Sequence, residues 1–204
     1  MPSNALGDFA IRLKEVEQLL EAHGALVALK NAQAAAQAGG GLKQLANVVN
    51  ALVAKPGPGK PPQVQAINKA AFAMLSAHLQ GFVTDLYKEA ARHLLDKRVP
   101  DLATVLAAAD APGNPNPQNI IRLFGRIGFS DVLAGVSWQK MNNQARRAKL
   151  REFIERRNRI VHGRSESVWK AEVEAHVKVW RNFAGRLDER VRLALQAVKG
   201  KSPW

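Results

Sequence analysis

The chain has 204 residues and a net charge of +13, and 47% of its residues are hydrophobic. This balance is typical of a globular domain and excludes a chain that is disordered or collagen-like throughout. The absence of cysteine excludes disulfides, thiolate metal sites and a cysteine nucleophile. Because charges come early in the N-terminal segment and no run of about 18 apolar residues occurs, we expect a soluble cytoplasmic protein.

The first 55 residues have the pattern of two helices. Ser3 is a candidate N-cap, and apolar residues then recur at helical spacing until three consecutive glycines interrupt them. A second periodic run covers residues 42–54. We therefore predict that residues 1–55 form a helical hairpin packed on the remaining bundle. A Pro/Gly-rich loop at 56–62 separates this hairpin from a helical domain at 63–204, and together they are expected to form one compact unit.

The rest of the chain is helical in its periodicity, and no segment alternates apolar and polar residues as a strand would. The sequence therefore predicts an all-α bundle. A stretch rich in Pro, Gly and Asn at 111–117 is predicted to be a loop. The predicted helices are 63–98, 101–109, 120–127, 129–136, 139–162 and 165–198, with Asp101, Asn119, Ser130 and Ser165 as N-caps and Gly163 as the end of the fifth.

The histidines and tryptophans outside the predicted helix 139–162 are expected to pack in the core or at interfaces and to have no catalytic or ligand-binding role. No pair of histidines has the spacing of a metal site, so we expect no metal or other cofactor. The residues concerned are His23, His78, His93, His176, Trp138, Trp169 and Trp180, whereas Trp204 is expected to be disordered or an incidental surface residue.

Positive charge is concentrated late in the chain. Residues 1–110 have a net charge of +2, and residues 111–204 have one of +11. A basic protein attracts polyanions, and arginine favours phosphate because its planar fork binds two oxygens; a general effect on solubility is the alternative. The candidate RNA-binding residues are Arg146, Arg147, Arg151, Arg156, Arg159 and Arg164, the first three of them expected at exposed or rim positions.

One arginine of this segment falls on the apolar side of its helix. At 100° per residue, Arg157 lies about 20° from Leu150, on a stripe that also contains Phe153, Ile154 and Val161. A guanidinium in such a place is costly unless it meets an anion, a carboxylate or a partner surface. The alternative is that Arg157 extends to the rim of the core or caps another helix.

The fifth helix also ends on a residue suited to acid–base chemistry. His162 lies in its last turn, directly before Gly163. The helix C-terminus favours the imidazolium form, and the neighbouring arginines oppose it, so that such a histidine can titrate near neutrality. With no set of metal ligands nearby, the chemistry would be metal-independent.

The segment Arg157-Asn158-Arg159-Ile160-Val161-His162 resembles the signature of the HEPN superfamily, in which an arginine is followed by a polar residue and a histidine comes after four to six intervening residues. The segment 78–87 of the long central helix also resembles the HEPN helix that packs against this motif. The resemblance covers about residues 63–198 and is nearest to the RiboL-PSP-like branch.

This resemblance implies a dimeric, metal-independent endoribonuclease whose two motifs form one composite cleft. Carried over to this chain, Arg157 would bind the scissile phosphate, and His162 would act as general acid and base. Asn158 would orient the 2′-OH or the leaving oxygen. The expected products are a 2′,3′-cyclic phosphate and a 5′-OH.

The same resemblance implies a toxin or phage-defence effector, with an antitoxin or another regulatory protein as partner. One toxin branch has a tyrosine two residues after the histidine, which its antitoxin modifies, but here that position is Arg164. Control by that modification is therefore not expected. The alternative function is a non-catalytic HEPN module that binds RNA, a nucleotide or a protein.

Overall fold

The structure, a computed structural model, describes residues 1–39, 62–95, 102–109, 113–136 and 142–204. Within these ranges the regular structure is entirely helical, which confirms the all-α prediction. No helix in these ranges is long and apolar enough to cross a bilayer. The helices are α1 (Asn4–Gly39), α2 (Pro62–Leu94), α3 (Leu102–Ala107), α4 (Pro117–Gly125), α5 (Asn143–Val161) and α6 (Lys170–Lys199).

Helix α2 is the centre of the bundle. It packs against each of the other helices, most extensively against α1 and α6 and less against α3, α4 and α5. The apolar residues of α1 join the same buried cluster as those of α2 and α6, with Phe9 against Phe82 at 5.2 Å between ring centroids. At its N-terminus, the Ser3 hydroxyl accepts a hydrogen bond from the Leu6 N–H, as predicted for a cap.

The second arm of the predicted N-terminal hairpin and residues 56–61 of the predicted loop lie outside the described residues, as do Asp101 and Trp138. Pro62, predicted to be the end of that loop, is instead the first residue of α2. Because α1 is one continuous helix of 36 residues, the part of the hairpin that the structure describes is its first arm. That arm packs on α2 and α6. The division of the chain at 56–62 stays a prediction.

The start of α4 differs from the prediction. Asn116, not Asn119, is the N-cap, and its side chain accepts a hydrogen bond from the Asn119 N–H at 2.8 Å. Pro117 follows as the first helical residue, a position in which proline loses no hydrogen bond. Asn119 is therefore inside the helix, and its carboxamide donates to the backbone oxygen of Asn114 at 2.8 Å.

Two other predicted helix starts are also wrong. Residues 129–136 form turns rather than a helix capped by Ser130, since Gly128 and Gly135 have φ values of 88° and 76°. The last helix begins at Lys170, so its N-cap is Trp169 and not the predicted Ser165. Asn68 donates to the Val168 carbonyl at 2.9 Å, which helps to keep the preceding segment extended through a contact 100 residues away in sequence.

At the chain's other end, Trp204 is not an incidental surface residue. Its indole is partly buried against the core and meets the His93 ring at 5.5 Å between centroids. Trp180 is buried, as predicted, whereas Trp169 is 56% exposed at the start of α6.

His176 is a core histidine, as its sequence context predicts. Its ring lies against Phe153 at 5.0 Å and is nearly parallel to that of Trp180 at 6.1 Å. Burial lowers the pKa of His176 to about 4, against a smaller opposing effect of Glu172. The imidazole is therefore neutral in the folded protein at physiological pH.

We expect this burial to make the protein less stable in mild acid. Between pH 6.5 and about 4 the unfolded chain binds a proton at His176 that the folded chain does not, so stability falls as the pH falls. The cost is about 2 kcal/mol at pH 5. Urea unfolding at pH 7 and pH 5 should show a smaller loss for His176→Phe than for the wild type. Equal losses would mean that His176 is not buried in its neutral form.

Candidate active site

Helix α5 holds the motif segment in place through one apolar side. Asn142 caps its N-terminus, with the Ala145 N–H donating to the Asn142 side chain at 2.8 Å. Leu150, Phe153 and Ile154 are buried, as the helical spacing predicts. Val161 is not, with 54% of its surface exposed, because the helix ends at this residue and no further turn continues the apolar stripe.

Arg157 is half-buried and is bonded only to amides. Its Nη1 donates to Asn114 Oδ1 at 3.0 Å and to Asn158 Oδ1 at 3.2 Å. Its Nε is shielded from solvent and has no acceptor. Among the described residues no carboxylate pairs with Arg157, so its positive charge is not compensated by its neighbours.

The two arginines on either side of this position are compensated. Arg156 forms ion pairs with Glu172 and Glu166 and donates to the Ser167 carbonyl at 2.6 Å. Arg159 pairs with Glu166, and this hydrogen bond lowers the pKa of the Glu166 carboxyl. These pairs join α5 to the first turn of α6 and to the segment before it. Of the three arginines, Arg157 is therefore the one whose positive charge no carboxylate among the described residues neutralises, and it is the one available to bind an anion.

Asn114 is the site residue that sequence reasoning missed. It belongs to the loop predicted at 111–117, and its Nδ2 donates to Asn158 Oδ1 at 3.1 Å. Asn158 thus accepts hydrogen bonds from both Asn114 and Arg157. Since Asn114 and Arg157 are 43 residues apart, no local pattern could have indicated their contact.

His162 is the C-cap of α5 and is exposed. Its backbone N–H donates to the Asn158 carbonyl at 2.9 Å, and Gly163 has the predicted positive φ of 72°. The imidazole itself makes no hydrogen bond in the described part of the chain. Five helical residues rotate a side chain by about 140°, so Arg157 and His162 point to different sides of α5.

The candidate RNA-binding arginines fall into two groups. Arg146 is only 5% exposed and donates to the Val136 carbonyl at 3.3 Å, so the expectation of a rim position is wrong for it. Burial, and to a lesser degree Arg186, lower its pKa. Arg147 pairs with Asp131 at 2.6 Å. Arg151 and Arg164, in contrast, are exposed.

The reason for the burial of Arg146 is tertiary. The turns at 128–136 cover the start of α5, bringing the Val136 carbonyl to Arg146 and the Asp131 carboxylate to Arg147. Neither contact can be derived from the basic composition of α5. In the described ranges no group of three His, Asp or Glu side chains is arranged to hold a metal ion.

The comparisons with known proteins agree with the motif. The model of the RiboL-PSP-HEPN family matches residues 42–192, a range that includes Asn114, Arg157, Asn158 and His162. No curated protein and no solved structure matches the chain. The family match covers well over half of the sequence, and the residues outside it include all of α1. The chain therefore belongs to the RiboL-PSP-HEPN family.

Proposed function

We propose that the protein is a metal-independent endoribonuclease acting as a toxin or phage-defence effector. The observation that carries this proposal is the state of Arg157, whose guanidinium donates to two neutral amides and pairs with no carboxylate among the described residues, while His162 is exposed at the end of the same helix. Membership of the HEPN family supports an RNA-related role. A cation without a carboxylate partner stabilises added negative charge most effectively when it is held in advance of the reaction.

In the proposed reaction the 2′-OH of RNA attacks the adjacent phosphorus. His162 accepts the proton of the 2′-OH as the new O–P bond forms, and an imidazolium His162 of the composite site donates a proton to the 5′-oxygen as the P–O bond to that oxygen breaks. Arg157 stabilises the charge on the phosphoryl oxygens. The Asn158 Nδ2 donates no hydrogen bond within the described residues and would orient a substrate oxygen. The products are a 2′,3′-cyclic phosphate and a 5′-OH.

The proposal includes a homodimer in which one protomer's Arg157 acts with its partner's His162. Its support is the rotation of about 140° between these residues on one helix and the exposure of the aliphatic Val161 beside His162. Light scattering at micromolar concentration should give a mass of two chains, and Val161→Lys should shift it towards one. A wild-type mass of one chain would contradict the composite site.

The function is tested by incubating the purified protein with unstructured and structured RNA in excess EDTA. We expect fragments with 2′,3′-cyclic phosphate and 5′-OH ends, identified by mass spectrometry. Cleavage that EDTA abolishes would contradict the metal-independent mechanism. Complete absence of cleavage, combined with RNA binding, would leave the second candidate function.

That second candidate is a HEPN module that binds RNA without cutting it. The observation in its favour is that no other side chain in the described ranges orients the His162 imidazole, whereas a general base is usually held by a third group. In this case the partner that regulates the protein, an antitoxin or another protein, would control binding rather than catalysis.

RNA binding should depend steeply on salt through Arg151 and Arg164. These exposed arginines are free to contact phosphates, and each contact to a single strand contributes about 0.7 to the log–log salt slope. Replacing both by Ala should reduce the slope by about 1.4. Arg181→Ala, which removes an exposed cation paired with Glu17, is the matched control. An unchanged slope in the double variant would place the RNA elsewhere.

A further inference from the structure

Asn114 and Arg157 are joined by a side-chain hydrogen bond that connects the loop before α4 to the motif helix. The side-chain Oδ1 of Asn114 accepts a hydrogen bond from Arg157 Nη1 at 3.0 Å, and its Nδ2 donates to Asn158 Oδ1 at 3.1 Å. Together the three side chains form a closed triangle of hydrogen bonds, because Arg157 Nη1 also donates to Asn158 Oδ1. One guanidinium nitrogen is thereby held by two acceptors.

The backbone that carries Asn114 is itself held in place. The backbone carbonyl oxygen of Asn114 accepts hydrogen bonds from the Asn119 side chain and from the Asn116 N–H, each at 2.8 Å. The adjoining Gly113 has a φ of 66°, and a Cβ at that position would lie 3.1 Å from Asn119 Nδ2. Pro115 is buried. The backbone of Asn114 is thus fixed by the hydrogen bonds of the turn in which it lies.

The hydrogen bonds to Asn114 and Asn158 involve one nitrogen of the Arg157 guanidinium. Both hydrogen bonds are donated by Nη1, whereas Nε is shielded from solvent without an acceptor and Nη2 makes no hydrogen bond among the described residues. Nη2 is therefore the nitrogen of Arg157 that can donate a charge-assisted hydrogen bond to a phosphate oxygen.

We infer that Asn114 is a positioning residue, whose amide fixes Arg157 Nη1 and so leaves Nη2 to donate to an oxygen of a phosphodiester. The identity of the anion rests on the proposed function, but the positioning does not. The neutral amide is essential, since an aspartate here would hold the same nitrogen and cancel its charge, as Glu166 does for Arg159.

The positioning is tested without RNA by nuclear magnetic resonance of arginine Nε–H groups in the full chain. Arg157→Lys assigns the Arg157 signal by its loss. We expect slow solvent exchange of this proton in the wild type, at least tenfold faster exchange in Asn114→Ala, and near wild-type exchange in Asn114→Asp, which keeps an acceptor. Asn182→Ala, an exposed asparagine on α6, is the control. Backbone spectra of each variant establish that it is folded.

The second arm measures RNA cleavage and affinity. In Asn114→Ala, kcat should fall by up to about 10²-fold with KM nearly unchanged, because a misplaced group loses transition-state contacts. In Asn114→Asp, RNA affinity should fall as well, because the carboxylate neutralises Arg157.

The outcomes separate the two ideas. Exchange at Arg157 that is the same in Asn114→Ala and in the wild type overturns the positioning role, whether or not the protein cuts RNA. Equally fast exchange in the Ala and Asp variants overturns it too. The predicted exchange pattern in a protein that never cuts RNA supports the positioning role and contradicts the proposed ribonuclease.

Discussion

His162→Ala is expected to lower the rate of RNA cleavage by about 10²–10⁴-fold, the contribution typical of a general acid or base. Affinity for RNA should stay nearly unchanged, since the imidazole is exposed and is not the group that holds phosphate. Folding should be unaffected, because the imidazole makes no hydrogen bond in the described part of the chain and the helix end depends on backbone bonds and Gly163. Single-turnover cleavage gives the rate, and an RNA with a 2′-deoxy group at the cleaved position gives the affinity.

His93→Ala is the matched control, because this histidine lies at the end of α2 and contacts Trp204 rather than the motif. It should cut RNA at the wild-type rate. Cleavage by His162→Ala at the wild-type rate would show that the assigned acid–base role is wrong. If His162→Ala instead unfolds and the wild type is inert towards RNA, the motif is structural and the non-catalytic function takes over.

Arg157→Ala is expected to reduce both affinity and cleavage. Loss of a preorganised donor to a developing oxyanion costs about 10²–10³ in kcat, and loss of a charged hydrogen bond to bound phosphate costs about tenfold or more in affinity. The fold should survive, because Asn114 still donates to Asn158 at 3.1 Å when the guanidinium is removed. Stability should be unchanged or slightly higher, since a partly buried charge without a counterion is removed.

Arg156→Ala is an instructive comparison, because this neighbouring arginine is occupied by Glu172 and Glu166. We expect it to lower thermal stability more than Arg157→Ala does and to change single-turnover cleavage less. If Arg156→Ala were inactive and Arg157→Ala active, the assignment of phosphate binding to Arg157 would be wrong. Fluorescence anisotropy with the 2′-deoxy RNA and thermal unfolding give both quantities for each variant.

The sequence predicted the helical parts of the site because their determinants are local. Apolar spacing placed Leu150, Phe153 and Ile154 in the core, and Gly163 marked the end of α5 through its positive φ. The start of α4 was misplaced for an equally local reason. Asn116 and Asn119 are both good caps, and Pro117 decides between them.

The charges of the site could not be predicted in this way. A basic stretch shows how many arginines are present but not which of them meet carboxylates from other segments. Glu166 and Glu172 lie after the motif helix, and Asp131 lies before it. Folding brings these acids to Arg147, Arg156 and Arg159, and it buries Arg146 beneath the turns at 128–136.

By itself, then, the sequence determined the all-α architecture and the helix that carries the motif, because periodicity and capping act within one segment. The roles of Arg157, Asn158 and His162 come from the resemblance to the HEPN family and stay a proposal. Only the tertiary structure decided that no carboxylate of the described residues pairs with Arg157 and that the Asn114 side chain accepts a hydrogen bond from it. The physical reason is that hydrogen bonds and ion pairs act over about 3 Å in space, regardless of separation along the chain. Asn114 is 43 residues from Arg157 in sequence and 3.0 Å from it in the fold.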